Sequence, residues 1–282
     1  MTGTLELPRP TWFVGCGNMG GAIIDGWRGS GIDLSAVTVI RPSGAGVEGT
    51  RTVTAYSEAG VPPRLVVLAM KPQKLDEVAS GLRSFLSAQT TVVSILAGVE
   101  SASLRQRFPG VGAIVRVMPN LPVAVRRGVT GLYSADADGP TKDKLNNLFS
   151  ALGFAIWMAD ESRLASLGSV AGAGPAYVAR FIAALTKAGE KRGLSNEIAS
   201  TLARETVLGT VWMAAATSEG MDSIARRVAS PNGTTEAGLK VLDGNRALDD
   251  LIGATIEAAV RRGAELAEDA KRPSLAEETR LS

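Results

Sequence analysis

Three glycines near the N-terminus have the spacing of a dinucleotide-binding turn. A short apolar run, residues 12–14, precedes them, and a helix-like stretch, residues 21–27, follows. In this context the first glycine permits a tight turn, the second lets the backbone approach a pyrophosphate, and the third allows close helix–strand packing. The helix N-terminus adds unpaired N–H groups and partial positive charge. The sequence therefore predicts that a dinucleotide cofactor binds at Gly15, Cys16, Gly17, Asn18, Met19 and Gly20. We expect no redox role for the cysteine of this turn.

The residues after the second predicted strand indicate which dinucleotide is used. Proteins that prefer NAD carry an acidic residue at the end of that strand, where it binds the ribose 2′-hydroxyl. Here the strand at residues 37–40 is followed by Arg41 and Ser43, and Asp33 lies before the strand. Because an arginine beside a hydroxyl suits a 2′-phosphate, the predicted cofactor is NADPH, with NADH left open.

Two further segments follow predicted strands, at the edge where an open α/β sheet binds ligands. The first contributes Ala69, Met70, Lys71 and Pro72, and the second contributes Asn120. A third segment, residues 230–236, is a turn that leads into a helix, where backbone amides can bind a carboxylate. The alternative for this turn is that Thr234 or Thr235 only caps the helix.

Composition excludes several kinds of chemistry. The chain has no histidine and a single cysteine, which excludes Ser-His-Asp triads, histidine-ligated zinc and disulfides within one chain. We therefore expect no metal site. The net charge of +2 gives no reason to expect a nucleic-acid or membrane partner. Residues 1–10 lack a signal-peptide pattern, so we expect a cytoplasmic protein with a small-molecule substrate.

The pattern of apolar runs divides the chain into two predicted domains. Residues 1–160 alternate short apolar runs with helical segments, which predicts an α/β fold with a doubly wound, Rossmann-type sheet. Residues 161–282 lose the strand signal and predict an all-helical domain that is too apolar to stand alone, with a frayed polar tail from about residue 271. The predicted strands are 12–14, 37–40, 65–69, 91–95, 113–117, 129–133 and 154–158, and the predicted helices include 72–86, 101–108, 176–191, 196–216, 221–228, 235–242 and 248–270.

Six motifs in order make the chain resemble the pyrroline-5-carboxylate reductase family along nearly its whole length. They are GCGNMG (15–20), AMKPQ (69–73), SILAG (94–98), VMPNLP (117–122), AGAGPAYV (171–178) and SPNGTTEAGL (230–239). The resemblance implies reduction of the cyclic imine 1-pyrroline-5-carboxylate to L-proline by NAD(P)H, the last step of proline biosynthesis. It also implies a homodimer, or a higher assembly of dimers, joined through the helical domain. In such an assembly the substrate lies between one nucleotide domain and the helical domain of a partner subunit.

The resemblance also assigns site residues. It places the cofactor at the glycine turn, after the second strand, at residues 69–72 and at the loop of Ala97. It places the substrate at Glu161, Thr234 and Thr235, in a turn shaped by Ser230 and Gly233. The mechanistic hypothesis is that Thr235 hydrogen-bonds the ring nitrogen, that amides of residues 233–235 hold the carboxylate, and that Glu161 favours the cationic iminium or relays a proton.

Departures from the family pattern leave alternatives open. Ala171 and Ala173 stand where the family has serines, so a related cyclic imine is an alternative substrate. Asn232 replaces a glycine, and because asparagine tolerates positive φ we expect the turn to survive. A β-hydroxyacid or 2-ketoacid reductase is a second alternative; it needs a lysine followed by an asparagine on a long helix, whereas Lys187 is followed by Lys191. A non-catalytic nucleotide sensor is a third, although it has no reason to retain both the 230–235 turn and Glu161.

Overall fold

A computed structural model describes residues 5–271 of the chain. It divides into two compact units: one runs to Ala173 and also includes the chain from Ala259 onward, and the other is Gly174–Ala258. The predicted domain boundary, after residue 160, lies before the boundary between these two units, which follows Ala173. The proposed division into domains stays a prediction. The polar tail predicted from about residue 271 lies outside the described residues.

The first unit is built on one eight-stranded sheet. Its strand order is β3-β2-β1-β4-β5-β6-β7-β8, and every neighbouring pair is parallel except β6 and β7. The chain order reverses direction at β1 and β4, so the ligand crevice of this doubly wound sheet lies outside their carboxyl ends. The predicted α/β class is confirmed. The strands are β1 (Thr11–Val14), β2 (Val37–Ile40), β3 (Arg51–Val53), β4 (Leu65–Leu68), β5 (Thr91–Ser94), β6 (Ala113–Pro119), β7 (Gly128–Tyr133) and β8 (Gly153–Trp157).

Helices cover both faces of the sheet, which is why the central strands are continuous apolar runs. In β1, Phe13 faces one core with Trp27, while Trp12 faces the other with Leu82. The helices of this unit are α1 (Asn18–Gly29), α2 (Leu75–Leu82), α3 (Ser101–Arg107), α4 (Gly139–Ser150) and α5 (Glu161–Leu167), followed by a π-helical turn, Gly168–Gly172. The helix predicted over residues 72–86 is α2 flanked by the 3-10 turns Pro72–Lys74 and Arg83–Phe85.

The second unit is helical, as predicted. The large apolar side chains of Phe181, Leu202 and Trp212 are each more than half exposed. Such large exposed apolar side chains mark surfaces that bind another protein. The helices are α6 (Gly174–Glu190), α7 (Asn196–Thr217), α8 (Met221–Val228), α9 (Thr234–Asp243) and α10 (Ala247–Lys271), and α10 continues past the boundary of the unit.

Two features of the sheet differ from the expected pattern. β3 has only three residues and begins with the exposed Arg51, so no apolar run in the sequence predicts this strand. β7 runs antiparallel to β6, and apolar periodicity carries no information on strand direction. Within residues 5–271, no helix has the length and apolar character needed to cross a membrane.

Candidate active site

The glycine turn lies between the end of β1 and the start of α1, and each glycine has a separate structural reason. Gly15 has φ +78°, and a Cβ there would lie 2.8 Å from the Ala69 carbonyl oxygen. A Cβ on Gly20 would lie 3.1 Å from the Ala69 Cβ, so this glycine lets α1 pack closely on β4. A Cβ on Gly17 would meet no atom within 4 Å. Packing within the protein therefore explains why Gly15 and Gly20 are glycines, whereas Gly17 borders open space.

The start of α1 supplies free hydrogen-bond donors beside that space. The helix begins at Asn18 without a side-chain cap, and its first intrahelical bond runs from the Gly21 N–H to the Gly17 carbonyl at 2.9 Å. The N–H groups before Gly21 have no intrahelical acceptor. Open space at Gly17 and an uncapped helix N-terminus fit a pyrophosphate, which is the anion that such sites bind.

The predicted residues after β2 lie beside this turn. The Gly15 N–H donates to the Ile40 carbonyl at 2.9 Å, which joins the end of β2 to the glycine turn. Burial raises the pKa of the Cys16 thiol, and the nearby positive charge of Arg41 opposes that shift. Ser43 is exposed, and its Oγ accepts a hydrogen bond from the Ala45 N–H at 3.4 Å. An arginine and a serine hydroxyl thus border the crevice on the side where a 2′-phosphate is expected.

The predicted residues after β4 and β5 lie at the same edge of the sheet. The Ala69 N–H donates to the Val14 carbonyl at 2.9 Å, and Met70 contacts the position of a Gly15 Cβ. Lys71 is exposed and precedes the 3-10 turn that begins at Pro72. After β5, Ala97 is exposed in the loop between β5 and α3.

Asn120 has a structural use that the sequence did not indicate. The side chain is buried; its Oδ1 accepts from the Val129 N–H at 2.8 Å and its Nδ2 donates to the Ala171 carbonyl at 3.0 Å. The amide therefore ties the end of β6 to β7 and to the π-helical turn. The predicted contact between Asn120 and the cofactor stays a prediction. Both the oxygen and the nitrogen of the side-chain amide already form hydrogen bonds within the protein.

Glu161, the first residue of α5, is held by two residues that lie outside the sequence motifs. Its Oε1 accepts hydrogen bonds from the Ser101 N–H at 2.8 Å, from the Ser101 Oγ at 3.0 Å and from Arg116 at 2.8 Å. Burial alone raises the pKa of Glu161, but the hydrogen bonds and charge of Arg116 and the hydrogen bonds of Ser101 outweigh it, and the pKa is lowered. Glu161 is therefore a carboxylate at neutral pH, which favours an electrostatic role over proton donation.

The turn that leads into α9 contains one residue in the left-handed region of backbone conformation and one position too crowded for a Cβ atom. Asn232 has φ +58°, so asparagine takes the left-handed position expected for the family's glycine. A Cβ on Gly233 would lie 2.7 Å from the Ser230 Oγ, and the Gly233 N–H donates to the Ser230 carbonyl at 3.0 Å. The Asn232 N–H donates to Glu236 at 2.7 Å. The expectation that the turn survives the substitution is confirmed.

The two threonines after this turn are exposed and do not cap the helix. α9 begins at Thr234 after Gly233, and no side chain caps its first turn. Within residues 5–271, neither hydroxyl of Thr234 and Thr235 forms a hydrogen bond. The alternative that these threonines close the helix is therefore wrong, and the hydroxyls and first-turn N–H groups are free for an anionic ligand.

The predicted residues fall into two groups by unit. The cofactor residues lie together at the carboxyl edge of the sheet, and Glu161 belongs to the same unit. Residues 230–235 belong to the helical unit. Arg116 and Ser101 lie 45 and 60 residues from Glu161 in sequence. The sequence carries a signal for Arg116, because a charged residue inside an apolar strand needs a partner, but none for Ser101.

Two family models match the chain. Residues 161–266 match the model described as pyrroline-5-carboxylate reductase dimerisation, and residues 12–98 match the model described as NADP oxidoreductase, coenzyme F420-dependent. The first begins at Glu161, and the second covers the glycine turn and the loop of Ala97. The first model contains all of residues 230–235, and the second contains every predicted cofactor residue except Asn120.

Individual proteins match over almost the full chain. The pyrroline-5-carboxylate reductase of Pseudomonas aeruginosa is 37% identical over 271 residues, covering 94% of this chain and 98% of that protein. The structure of Plasmodium falciparum pyrroline carboxylate reductase with NADP bound has a TM-score of 0.84 at 26% identity, covering 93% of this chain and 99% of that chain. The Coxiella burnetii pyrroline-5-carboxylate reductase has a TM-score of 0.82 at 31% identity, with the same coverage.

Proposed function

This chain belongs to the pyrroline-5-carboxylate reductase family, and from that premise we propose that it reduces 1-pyrroline-5-carboxylate to L-proline with NADPH. It is an oxidoreductase acting on a C=N bond, in the last step of proline biosynthesis. One observation carries the choice of substrate: the free hydroxyls and N–H groups at the start of α9 suit a carboxylate next to a ring imine. The NADP named with the Plasmodium structure and the Arg41–Ser43 pair support NADPH, and NADH stays an alternative.

The residues at the carboxyl edge of the sheet hold the cofactor. The N–H groups at the start of α1 bind the pyrophosphate, Gly17 leaves it room, and Arg41 with Ser43 binds the 2′-phosphate. Residues 69–72 and the loop of Ala97 border the rest of the dinucleotide. When bound, NADPH supplies the hydride.

The turn before α9 orients the imine. Ser230 and Gly233 shape the turn, amides of residues 233–235 hold the carboxylate, and Thr234 and Thr235 present hydroxyls. Thr235 hydrogen-bonds the ring nitrogen, which fixes the imine carbon for attack. Catalysis in this proposal is mainly proximity and orientation.

The proton balance needs no histidine. A protonated pyrroline nitrogen makes the neighbouring carbon an acceptor, and addition of hydride to that carbon converts the iminium to the secondary amine of proline. The proton on nitrogen is already present before hydride transfer. The lowered pKa of Glu161, whose burial is outweighed by Arg116 and Ser101, supports an ionised carboxylate at neutral pH that is paired with Arg116.

The remaining alternatives differ in substrate. The missing hydroxyls at Ala171 and Ala173 keep a related cyclic imine as the second candidate. Lys187 is exposed on α6 and Lys191 is exposed in the turn that follows it, which does not favour a β-hydroxyacid or 2-ketoacid reductase. A cytoplasmic enzyme that works as a homodimer or an assembly of dimers completes the proposal.

Oxidation of NADPH and NADH with a panel of cyclic imines and 2-ketoacids tests the function, using wild type and Thr235→Ala. We expect wild type to prefer 1-pyrroline-5-carboxylate and NADPH. Thr235→Ala is expected to lower kcat/KM by about 10²-fold, because it removes the hydroxyl that accepts a hydrogen bond from the protonated ring nitrogen and aligns the imine carbon. Preference for another substrate class, or full turnover by Thr235→Ala, contradicts the proposal.

A matched control separates catalysis from helix stability. Thr141 also lies in the first turn of a helix, α4, which begins at the opposite edge of the sheet because β7 is antiparallel. Thr141→Ala is expected to retain wild-type turnover. If Thr141→Ala loses as much activity as Thr235→Ala, the loss in both variants is attributed to impaired folding.

A further inference from the structure

Three separate segments of the first unit meet at one carboxylate oxygen. Glu161 opens α5, Ser101 opens α3, and Arg116 lies in β6; all three hydrogen bonds, between 2.8 and 3.0 Å, fall on Glu161 Oε1. Two of them come from Ser101, through its N–H and its hydroxyl. Glu161 thus serves as an acceptor for the first turn of α3, whose N–H groups have no intrahelical partner.

Arg116 explains why the acceptor is a carboxylate. Its side chain is only 7% exposed, inside a strand whose neighbours Val115 and Val117 are fully buried apolar residues. A buried guanidinium needs an opposite charge and hydrogen-bond acceptors. Glu161, 28% exposed, supplies both. The pair therefore fixes the position of the carboxylate, and the carboxylate fixes Ser101.

Ser101 is the downstream end of the loop that carries Ala97. The upstream end is held by the Ile95 N–H, which donates to the Leu68 carbonyl at 3.2 Å, and Val99 is 1% exposed. Between these points Ala97 is exposed, and Gly98 takes φ +75°. Hydrogen bonds at both ends thus hold residues 95–100 in one conformation.

We propose that Arg116 and Ser101 are positioning residues, which act through Glu161 to hold the 95–100 loop in the shape that receives the nicotinamide nucleotide. This inference rests on the proposed function, because that proposal assigns the loop to the cofactor. Glu161 then contributes to nucleotide binding through the loop, and it moves no proton in the reaction. A loop held in its bound shape has less conformational entropy to lose on binding.

Binding of NADPH alone, without imine, tests the role of the loop directly. The variants are Glu161→Gln, Arg116→Lys and Ser101→Ala, with Ser101→Thr to restore the hydroxyl, and the readout is the change in nucleotide fluorescence. We expect Glu161→Gln and Arg116→Lys to raise the Kd for NADPH about tenfold, the scale of one charge-assisted hydrogen bond. Ser101→Ala is expected to show a smaller increase that Ser101→Thr reverses.

The pH dependence of kcat at saturating nucleotide distinguishes positioning from proton transfer. We expect Glu161→Gln to lower kcat, because Glu161 belongs to the proposed site, but to keep the shape of the wild-type pH profile, because it transfers no proton. Loss of one limb of the profile, with an unchanged Kd for NADPH, identifies Glu161 as a proton-transfer group and overturns the proposal. Failure of wild type itself to bind NADPH contradicts the proposed function instead, so the two failures are distinguishable.

Asp136→Asn is the matched control for stability. Asp136 pairs with Arg105, which lies on the same helix α3 toward its other end. This variant is expected to lower the melting temperature and to leave the Kd for NADPH at the wild-type value. An equal loss of nucleotide affinity in Asp136→Asn attributes the effect to general destabilisation of α3 and overturns the proposal.

Discussion

At the scale of single residues, the glycine turn separates what the fold requires from what a ligand requires. Gly15→Ala forces a side chain into φ +78° and within 3 Å of Ala69 and Met70, so we expect a loss of about 2 kcal/mol or more in the free energy of unfolding. Gly17→Ala meets no protein atom and is expected to cost less than about 1 kcal/mol. It should nevertheless weaken NADPH binding by about tenfold or more, because its methyl group occupies the space of the pyrophosphate.

Urea unfolding and nucleotide fluorescence on the same two proteins measure these effects separately. Gly17→Ala is the decisive variant because its native conformation is open to alanine. Wild-type affinity in a stable Gly17→Ala protein is the result that places the pyrophosphate elsewhere.

At the scale of elements, the junction of β6, α3 and α5 should respond to pH through Glu161. Burial raises the pKa of this carboxyl, but Arg116 and Ser101 hold it below its ordinary value of 4.5. The folded state therefore binds fewer protons than the unfolded state, so the stabilisation is complete above that value and is lost as the pH falls through the folded pKa. Glu161→Gln is expected to be about 2 kcal/mol less stable than wild type at pH 7 and closer to wild type at about pH 3.

Urea unfolding of both proteins at the two pH values gives this difference. Glu257, an exposed residue of α10, supplies the comparison, because Glu257→Gln should change stability by less than about 0.5 kcal/mol at either pH. A stability gap for Glu161→Gln that stays constant with pH shows that the carboxylate charge does not stabilise the junction.

The elements also show where sequence patterns carry information. β2 and α8 have the predicted bounds because their apolar spacing and their flanking residues are local signals. β3 is three residues long with an exposed start, and such a strand is defined by pairing with β2. The hydrogen bonds from Arg116 and Ser101 to Glu161 depend on tertiary contact, so the family resemblance predicted a role for Glu161 but the sequence predicted no partners for it.

At the scale of the whole molecule, the exposed apolar helices connect structure to assembly. Phe181, Leu202 and Trp212 lie on α6 and α7 within the region that matches the dimerisation model. Burial of such side chains in a symmetric interface is a common basis of homodimers. The family resemblance predicts that the substrate lies between one chain's nucleotide domain and its partner's helical domain.

Complementation between two inactive variants tests whether the site is shared. Gly17→Val blocks the nucleotide turn and Thr235→Ala disables the substrate turn, so each homodimer should be inactive. If the two turns of one site come from different chains, each heterodimer contains one wholly wild-type site, and a coexpressed mixture recovers about a quarter of wild-type activity because random pairing makes half of the dimers mixed. If both turns come from the same chain, no pairing restores a site, and absence of recovery in verified heterodimers contradicts the shared arrangement.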